Sequence, residues 1–218
     1  MAILWKDVRE EWRRRELVLV MALFSLVVLV MFSFALGIMP ENPGNVAAGV
    51  LWIAFTFAGT LGLNRTLAME RENDTFHALL AAPADWSWVY AAKMTGSLLF
   101  LLLVQALVVP MALLAFNLDL GPNWPWLVVT CFLGSIGFVS LGTLLAGIAS
   151  GTSVRDWMLP LLLFPLEVPV LIGAVRATAV ILSGQPLDDI WIWLKLLVLF
   201  DAVFLAAGIL TYESVVEE

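Results

Sequence analysis

The chain has 218 residues, 62% of them hydrophobic and 13% charged, with a formal net charge of -7 and a mean hydropathy of +0.98. A soluble domain is about half apolar and about a quarter charged, so no water-exposed fold of this size could hide so much apolar surface, and lipid must serve as solvent. The single cysteine, Cys131, excludes an intramolecular disulfide and any thiolate metal cluster built from this chain alone.

In the leader, residues 1–16, Met1, Leu4, Trp5, Val8 and Trp12 recur every three or four positions, while Lys6, Arg9 and Arg13 fill other directions. That spacing predicts a short amphipathic helix in the cytoplasmic interface, either a simple anchor or part of a clasp for a cytoplasmic partner. Asp7, Glu10, Glu11 and Glu16 offset nearly all its positive charge, so nucleic acid is not expected as a partner.

Apolar runs follow at about residues 17–38, 46–63, 94–116, 124–149, 157–182 and 191–212. A helical crossing needs roughly 20 residues, so six crossings and short connections occupy the whole of 1–218 as one transmembrane permease domain. The runs are continuously apolar rather than alternating, which disfavours a β-barrel. The first is longer than a signal-peptide core of about 7–15 residues and lacks a convincing cleavage site, so it is expected to stay as a crossing.

Orientation follows from the basic residues. Lys6, Arg9, Arg13, Arg14, Arg15, Arg65, Arg71, Lys93 and Arg155 fall on one side and only Arg176 and Lys195 on the other, which predicts cytoplasmic N- and C-termini. Three W-x-W pairs, Trp86 and Trp88, Trp124 and Trp126, Trp191 and Trp193, flank apolar runs and read as interfacial belts rather than cofactor boxes.

The largest cytoplasmic feature spans residues 66–83. Glu70, Arg71, Glu72 and Asp74 carry the second crossing out into water, and Phe76, Leu79 and Leu80 then form an apolar stripe on a new short helix ended by Pro83. Asp74 or Thr75 is placed to cap it. Such a helix fits a groove on a soluble partner, or it rests on lipid. His77 has no second histidine with which to share a metal or haem iron, so it reads as a surface or docking residue.

The third run contains Gln105 and Pro110, and the fourth carries Gly134, Gly137, Gly142, Gly147 and Gly151, which predicts close helix packing. In the fifth, Pro160, Pro165 and Pro169 each remove a backbone donor, so the helix is expected to bend or break. Glu167 sits between two of these prolines near mid-membrane, and Asp201 poses the same problem in the sixth run. A carboxylate there costs at least a few kcal/mol unless protonated, paired or wetted. Arg176 or a group from another subunit is the candidate partner of Glu167, and both carboxylates are either gate residues or structural glue.

No lysine stands in a G-x-x-x-x-G-K-[ST] setting, no C-x-x-C-H or H-E-x-x-H occurs, and no nucleophile is paired with a base. The chain is therefore expected to be no enzyme, and any ATPase driving it is another polypeptide. An ion-coupled secondary transporter using Glu167 and Asp201 would need an internal repeat with two matching broken helices, yet only the fifth run is proline-rich in this way.

Over nearly its whole length the sequence resembles the haem exporter protein B family, the CcmB permease of the cytochrome c maturation ABC transporter. The resemblance is carried by Asn64 to Pro83 followed by Lys93, by the glycine-rich stretch from Phe132 to Gly147, and by the string from Pro160 to Pro169. The first stretch is also similar to the coupling helix of the wider ABC-2 type exporters in the order Glu70, Glu72, Thr75, Leu79, Leu80, Pro83, although Asp74 stands where a glycine is expected.

The resemblance implies an all-α ABC-2 type permease fold in a bacterial inner membrane and a pair of permease copies. Its implied partners are a separate ABC ATP-binding subunit, a haem-handling membrane protein and a small single-span subunit. ATP would be bound by the partner and haem handled by the complex, with no cofactor on this chain. Glu70, Glu72, Thr75, Phe76, His77, Leu79, Leu80 and Pro83 would meet the ATPase, and Glu167, Asp201, Arg176, Pro165 and Pro169 would form the membrane gate or polar network. The complex would either export haem or release a haem-loaded chaperone, and the lack of an evident axial-ligand pair here favours indirect handling. A generic exporter permease for another substrate and a non-transporting assembly scaffold are the alternatives.

Overall fold

A computed structural model describes residues 16–35, 42–72, 86–150 and 155–217. Six long helices account for nearly all of them: α1 (Glu16–Ala35), α2 (Pro43–Glu72), α3 (Trp86–Ala115), α4 (Trp124–Ser150), α5 (Arg155–Leu182) and α6 (Ile190–Glu217). Single 3-10 turns, Gly121–Asn123 and Leu187–Asp189, lead into α4 and α6. Each long helix contains a span apolar enough to cross a bilayer, and there is no strand among the described residues. The chain is an all-α, multi-pass membrane protein, consistent with the ABC-2 type permease fold. The leader 1–15 and residues 73–85 lie outside the described residues.

α2 and α4 form the interior. α2 packs on α1, α3, α4 and α5, and α4 on α2, α3, α5 and α6, whereas α1 packs chiefly on α2 and α3. Lipid tails are as apolar as leucine, so close packing rather than escape from water holds such helices together. The glycines of α4 supply that closeness. Gly134 lies under the Trp52 ring, Gly142 under Leu63, Gly147 against Tyr212, and Gly137 against both Val170 and Asp201. A β-carbon at any of these would collide with its neighbour.

Two of the turns remote from the chain termini share a cap. After α3, Leu118 N–H bonds Leu113 C=O at 2.8 Å and Asn117 N–H bonds Leu114 C=O at 3.3 Å, with Asn117 left-handed at φ 50. After α5, Gln185 N–H bonds Val180 C=O at 3.1 Å and Gly184 N–H bonds Ile181 C=O at 3.3 Å, with Gly184 at φ 63. Both are Schellman caps, which satisfy carbonyls that would otherwise be orphaned at a helix end.

Two sequence expectations are corrected here. α3 begins at Trp86, eight residues before its apolar run, because Trp86, Val89 and Tyr90 bury one face against the bundle where hydropathy alone falls off. Trp86 is therefore a core residue, and only Trp88 of that pair is exposed. Of the bend or break expected for α5, the break is excluded, since α5 runs as one continuous helix through all three prolines. Its buried positions Leu159, Leu163, Glu167, Val170, Ala174 and Ala177 recur every three or four residues and clamp it to α2, α4 and α6, while Pro165 and Pro169 face outward.

Candidate functional site: buried carboxylates and a distal cleft

Polar groups thread the bundle interior. The Trp52 indole N–H donates to Thr178 Oγ1 at 2.9 Å, tying α2 to α5. Gln105 Nε2 donates to Ser135 Oγ at 2.9 Å between α3 and α4, and the Tyr90 hydroxyl donates to the Ser140 carbonyl at 3.0 Å. Ser25, Thr60 and Thr130 return their hydroxyls to the carbonyl four residues back, whereas the Thr56 and Thr143 hydroxyls and Gln105 Oε1 meet no partner among the described residues.

Against that background Glu167 and Asp201 stand out. They are 1% and 5% exposed, yet Oε2 of Glu167 and both carboxyl oxygens of Asp201 meet no donor among the described residues. The two belong to one seam. Gly137 of α4 brings Asp201 of α6 and Val170 of α5 to the same spot, and Glu167 lies one turn from Val170 on the same buried face, about 4.5 Å along the axis. An unpaired carboxylate at this depth is among the most costly groups a membrane helix can carry, and such groups mark functional positions.

Arg176 does not supply the missing partner. Nine residues along a helix place it about 13.5 Å from Glu167 and half a turn around. Its side chain is exposed instead in a cleft of about 520 Å3 at the end of the bundle remote from the chain termini, lined among others by Asn45, Asp188, Asp189, Ile192 and Trp193. Ser183 Oγ donates to Asn45 Oδ1 at 3.1 Å beside it, and the backbone at Ser183 passes so near Gly44 that a β-carbon there would stand 2.7 Å from it. In the sequence this corner is marked only by Arg176, read there as a partner for Glu167, and by the Trp191 and Trp193 pair.

Pro165 and Pro169 lie across α5 from Glu167, on the exposed face with Leu161, Val168 and Ile172. Lacking N–H groups, they deprive the carbonyls of Leu161 and Pro165 of their usual donors. Of the residues expected to meet an ATPase, Glu70 and Glu72 lie on the last turn of α2, while Thr75, Phe76, His77, Leu79, Leu80 and Pro83 lie outside the described residues. Among the described residues no group of three or more His, Cys, Asp or Glu is disposed to hold a metal ion.

The family model for CcmB protein matches residues 1–216, which spans all six helices. The chain belongs to the CcmB family. Curated relatives agree. Heme exporter protein B of Paracoccus denitrificans is 31% identical over 154 residues, covering 71% of this chain and 70% of its own. That of Rhodobacter capsulatus is 31% identical over 149 residues, 68% of each, and that of Bradyrhizobium diazoefficiens is 25% identical over 183 residues, 84% of this chain and 82% of the relative. In this CcmB chain the matched length includes the carboxylate seam and the distal corner alike.

Proposed function

We propose that this chain is the permease subunit of an ABC-type complex in cytochrome c maturation, seated in a bacterial inner membrane with both termini cytoplasmic. ATP bound and hydrolysed by a separate subunit would drive haem export or release of a haem-loaded chaperone. The observation that carries this reading is the family match over residues 1–216, which takes in the whole bundle rather than one motif.

The geometry supports a mechanical role. α2 has 30 residues, about 45 Å, against a hydrocarbon core of about 30 Å, and it continues unbroken to Glu72. A thrust from an ATP-binding subunit on the segment from Thr75 to Ala82 would enter α2 at that end. α2 packs on four helices and is joined to α5 by the Trp52 to Thr178 bond, so the thrust would reach the seam at Glu167.

The same reading assigns the proline face of α5 to a second permease copy or to a wetted path. Lipid offers no donor to the carbonyls of Leu161 and Pro165, and a helix is stable there only where protein or water supplies one. An ion-coupled transporter built on Glu167 and Asp201 is disfavoured, because that class uses paired discontinuous helices and α5 is continuous.

Cysteines introduced at His77 or Leu79 should cross-link to the ATP-binding subunit in the intact complex; if neither position ever contacts it, the coupling assignment fails. Glu167→Gln should leave subunit assembly intact and lower cytochrome c maturation. Unchanged maturation would reduce Glu167 to an incidental polar residue. Stoichiometric haem binding by the purified permease, lost on changing one interior residue, would overturn indirect handling of haem.

A further inference from the structure

The distal cleft carries charges of both signs that the fold itself does not use. Arg176 projects from α5, Asp188 and Asp189 from the 3-10 turn and Trp193 from α6, and among the described residues neither the guanidinium nor either carboxylate is held in an ion pair. Opposite charges kept apart in one cleft fit a ligand that is itself a zwitterion. The volume of about 520 Å3 lies within the range of about 300–1,000 Å3 typical of small-molecule sites.

Depth narrows the class of ligand. The Trp126 and Trp191 rings pack edge to face at 5.2 Å next to the cleft, and indoles of this kind sit at the headgroup level of a bilayer. Ile192, 67% exposed at the cleft wall, leaves an apolar margin open toward hydrocarbon. A ligand whose polar end enters here would have its apolar part beside Ile192.

Charge narrows it further. One positive group against two negative ones leaves the lining net negative, which repels a purely anionic headgroup. The guanidinium fork of Arg176 matches a phosphodiester in two parallel hydrogen bonds. Asp188 and Asp189 are acceptors for a primary ammonium with its three donors. A quaternary ammonium has no N–H and relies on an aromatic cage, whereas the cleft offers the single indole of Trp193.

We propose that this cleft is a binding site for the headgroup of a zwitterionic phospholipid of the phosphoethanolamine class, with Arg176 on the phosphate and Asp188 and Asp189 on the ammonium. The inference does not depend on what the permease transports.

The test is native mass spectrometry of the full-length chain in detergent, titrated with phosphatidylethanolamine, phosphatidylcholine and phosphatidylglycerol of identical acyl chains. Phosphatidylethanolamine should be retained about tenfold more strongly than either of the others, the size expected from charge-assisted hydrogen bonds that only it completes. Arg176→Ala, and separately the double variant Asp188→Asn with Asp189→Asn, should each abolish that preference. Lys195→Ala, at an exposed cation outside the cleft, should preserve it. Glycerophosphoethanolamine at equal concentration should fail to compete, and equal binding by this soluble headgroup would overturn the assignment to lipid. Equal retention of phosphatidylglycerol, or a preference unchanged in the aspartate variant, would overturn the site. The aspartate pair is exposed, so that variant tests the idea even if Arg176→Ala fails to fold.

Discussion

Gly137 is the position where the seam should be most sensitive to a single atom. In Gly137→Ala the new methyl would stand 2.8 Å from Asp201 Oδ1 and 3.0 and 3.2 Å from the two methyls of Val170. Carbon atoms in contact prefer about 3.5–4.0 Å, so α5 must recede by roughly half an ångström while the Asp201 carboxylate is displaced as well. Overpacking of this kind costs about 1–3 kcal/mol. Replacing glycine by alanine inside a helix returns roughly 1 kcal/mol through backbone entropy, which would mask part of the loss. Gly49 and Gly96 provide the correction, because a β-carbon at either meets nothing within 4 Å. The expected result is that Gly137→Ala unfolds more readily than Gly49→Ala or Gly96→Ala by about 1–3 kcal/mol. Reversible unfolding in mixed micelles, followed by circular dichroism, measures that difference. Adding Asp201→Ala to Gly137→Ala removes the nearest clash and should recover part of the loss, a coupling of about 0.5–3 kcal/mol in a double-mutant cycle. Equal stability of the three alanine variants, or strict additivity in the cycle, would refute the close approach of α4 to α5 and α6.

Trp52→Phe and Thr178→Val each break the same bond between α2 and α5, and should each lose about 0.6 kcal/mol and at most about 1.7 kcal/mol from the hydrogen bond. The double variant should lose less than their sum, and an additive result would mean the bond contributes nothing. At the turn after α5, Gly184→Ala places a side chain in the left-handed region and should lower stability by about 1–2 kcal/mol, seen as a lower Tm. Asn117→Gly, at the equivalent cap after α3, should be nearly neutral, and a large loss there would show that the Asn117 side chain rather than the backbone sets the turn.

The six crossings were legible because hydropathy alone marks a segment that lipid must dissolve, and the runs at 124 and 191 start within a residue of where α4 and α6 start. The start of α3 was not, since Trp86 and Tyr90 are held by burial that a hydropathy window does not weigh. The prolines of α5 do not break it, for a related reason. Proline removes a local donor, but the clamp from Leu159 to Ala177 is a tertiary effect. Glu167 and Asp201 were visible one at a time as charges in apolar runs. That Asp201 and the Glu167 face of α5 share one seam follows from the notch at Gly137, where Asp201 and Val170 come together, and one glycine among several in α4 gives no sign of what it faces. The distal cleft was hidden because Asn45 comes from more than 130 residues before Arg176 and Asp189, which themselves lie on either side of the turn after α5.

The Trp52 to Thr178 bond joins residues 126 positions apart, and this sets a delay in biosynthesis. At about 5–20 residues per second, α2 is made about 6–25 s before Thr178 is. During that interval an indole N–H has no native acceptor and the positions that α2 offers to α5 stand uncovered. The most buried crossing of the finished protein is therefore among the first to emerge, and its exposure to lipid, insertion machinery and proteases ends only when α5 arrives.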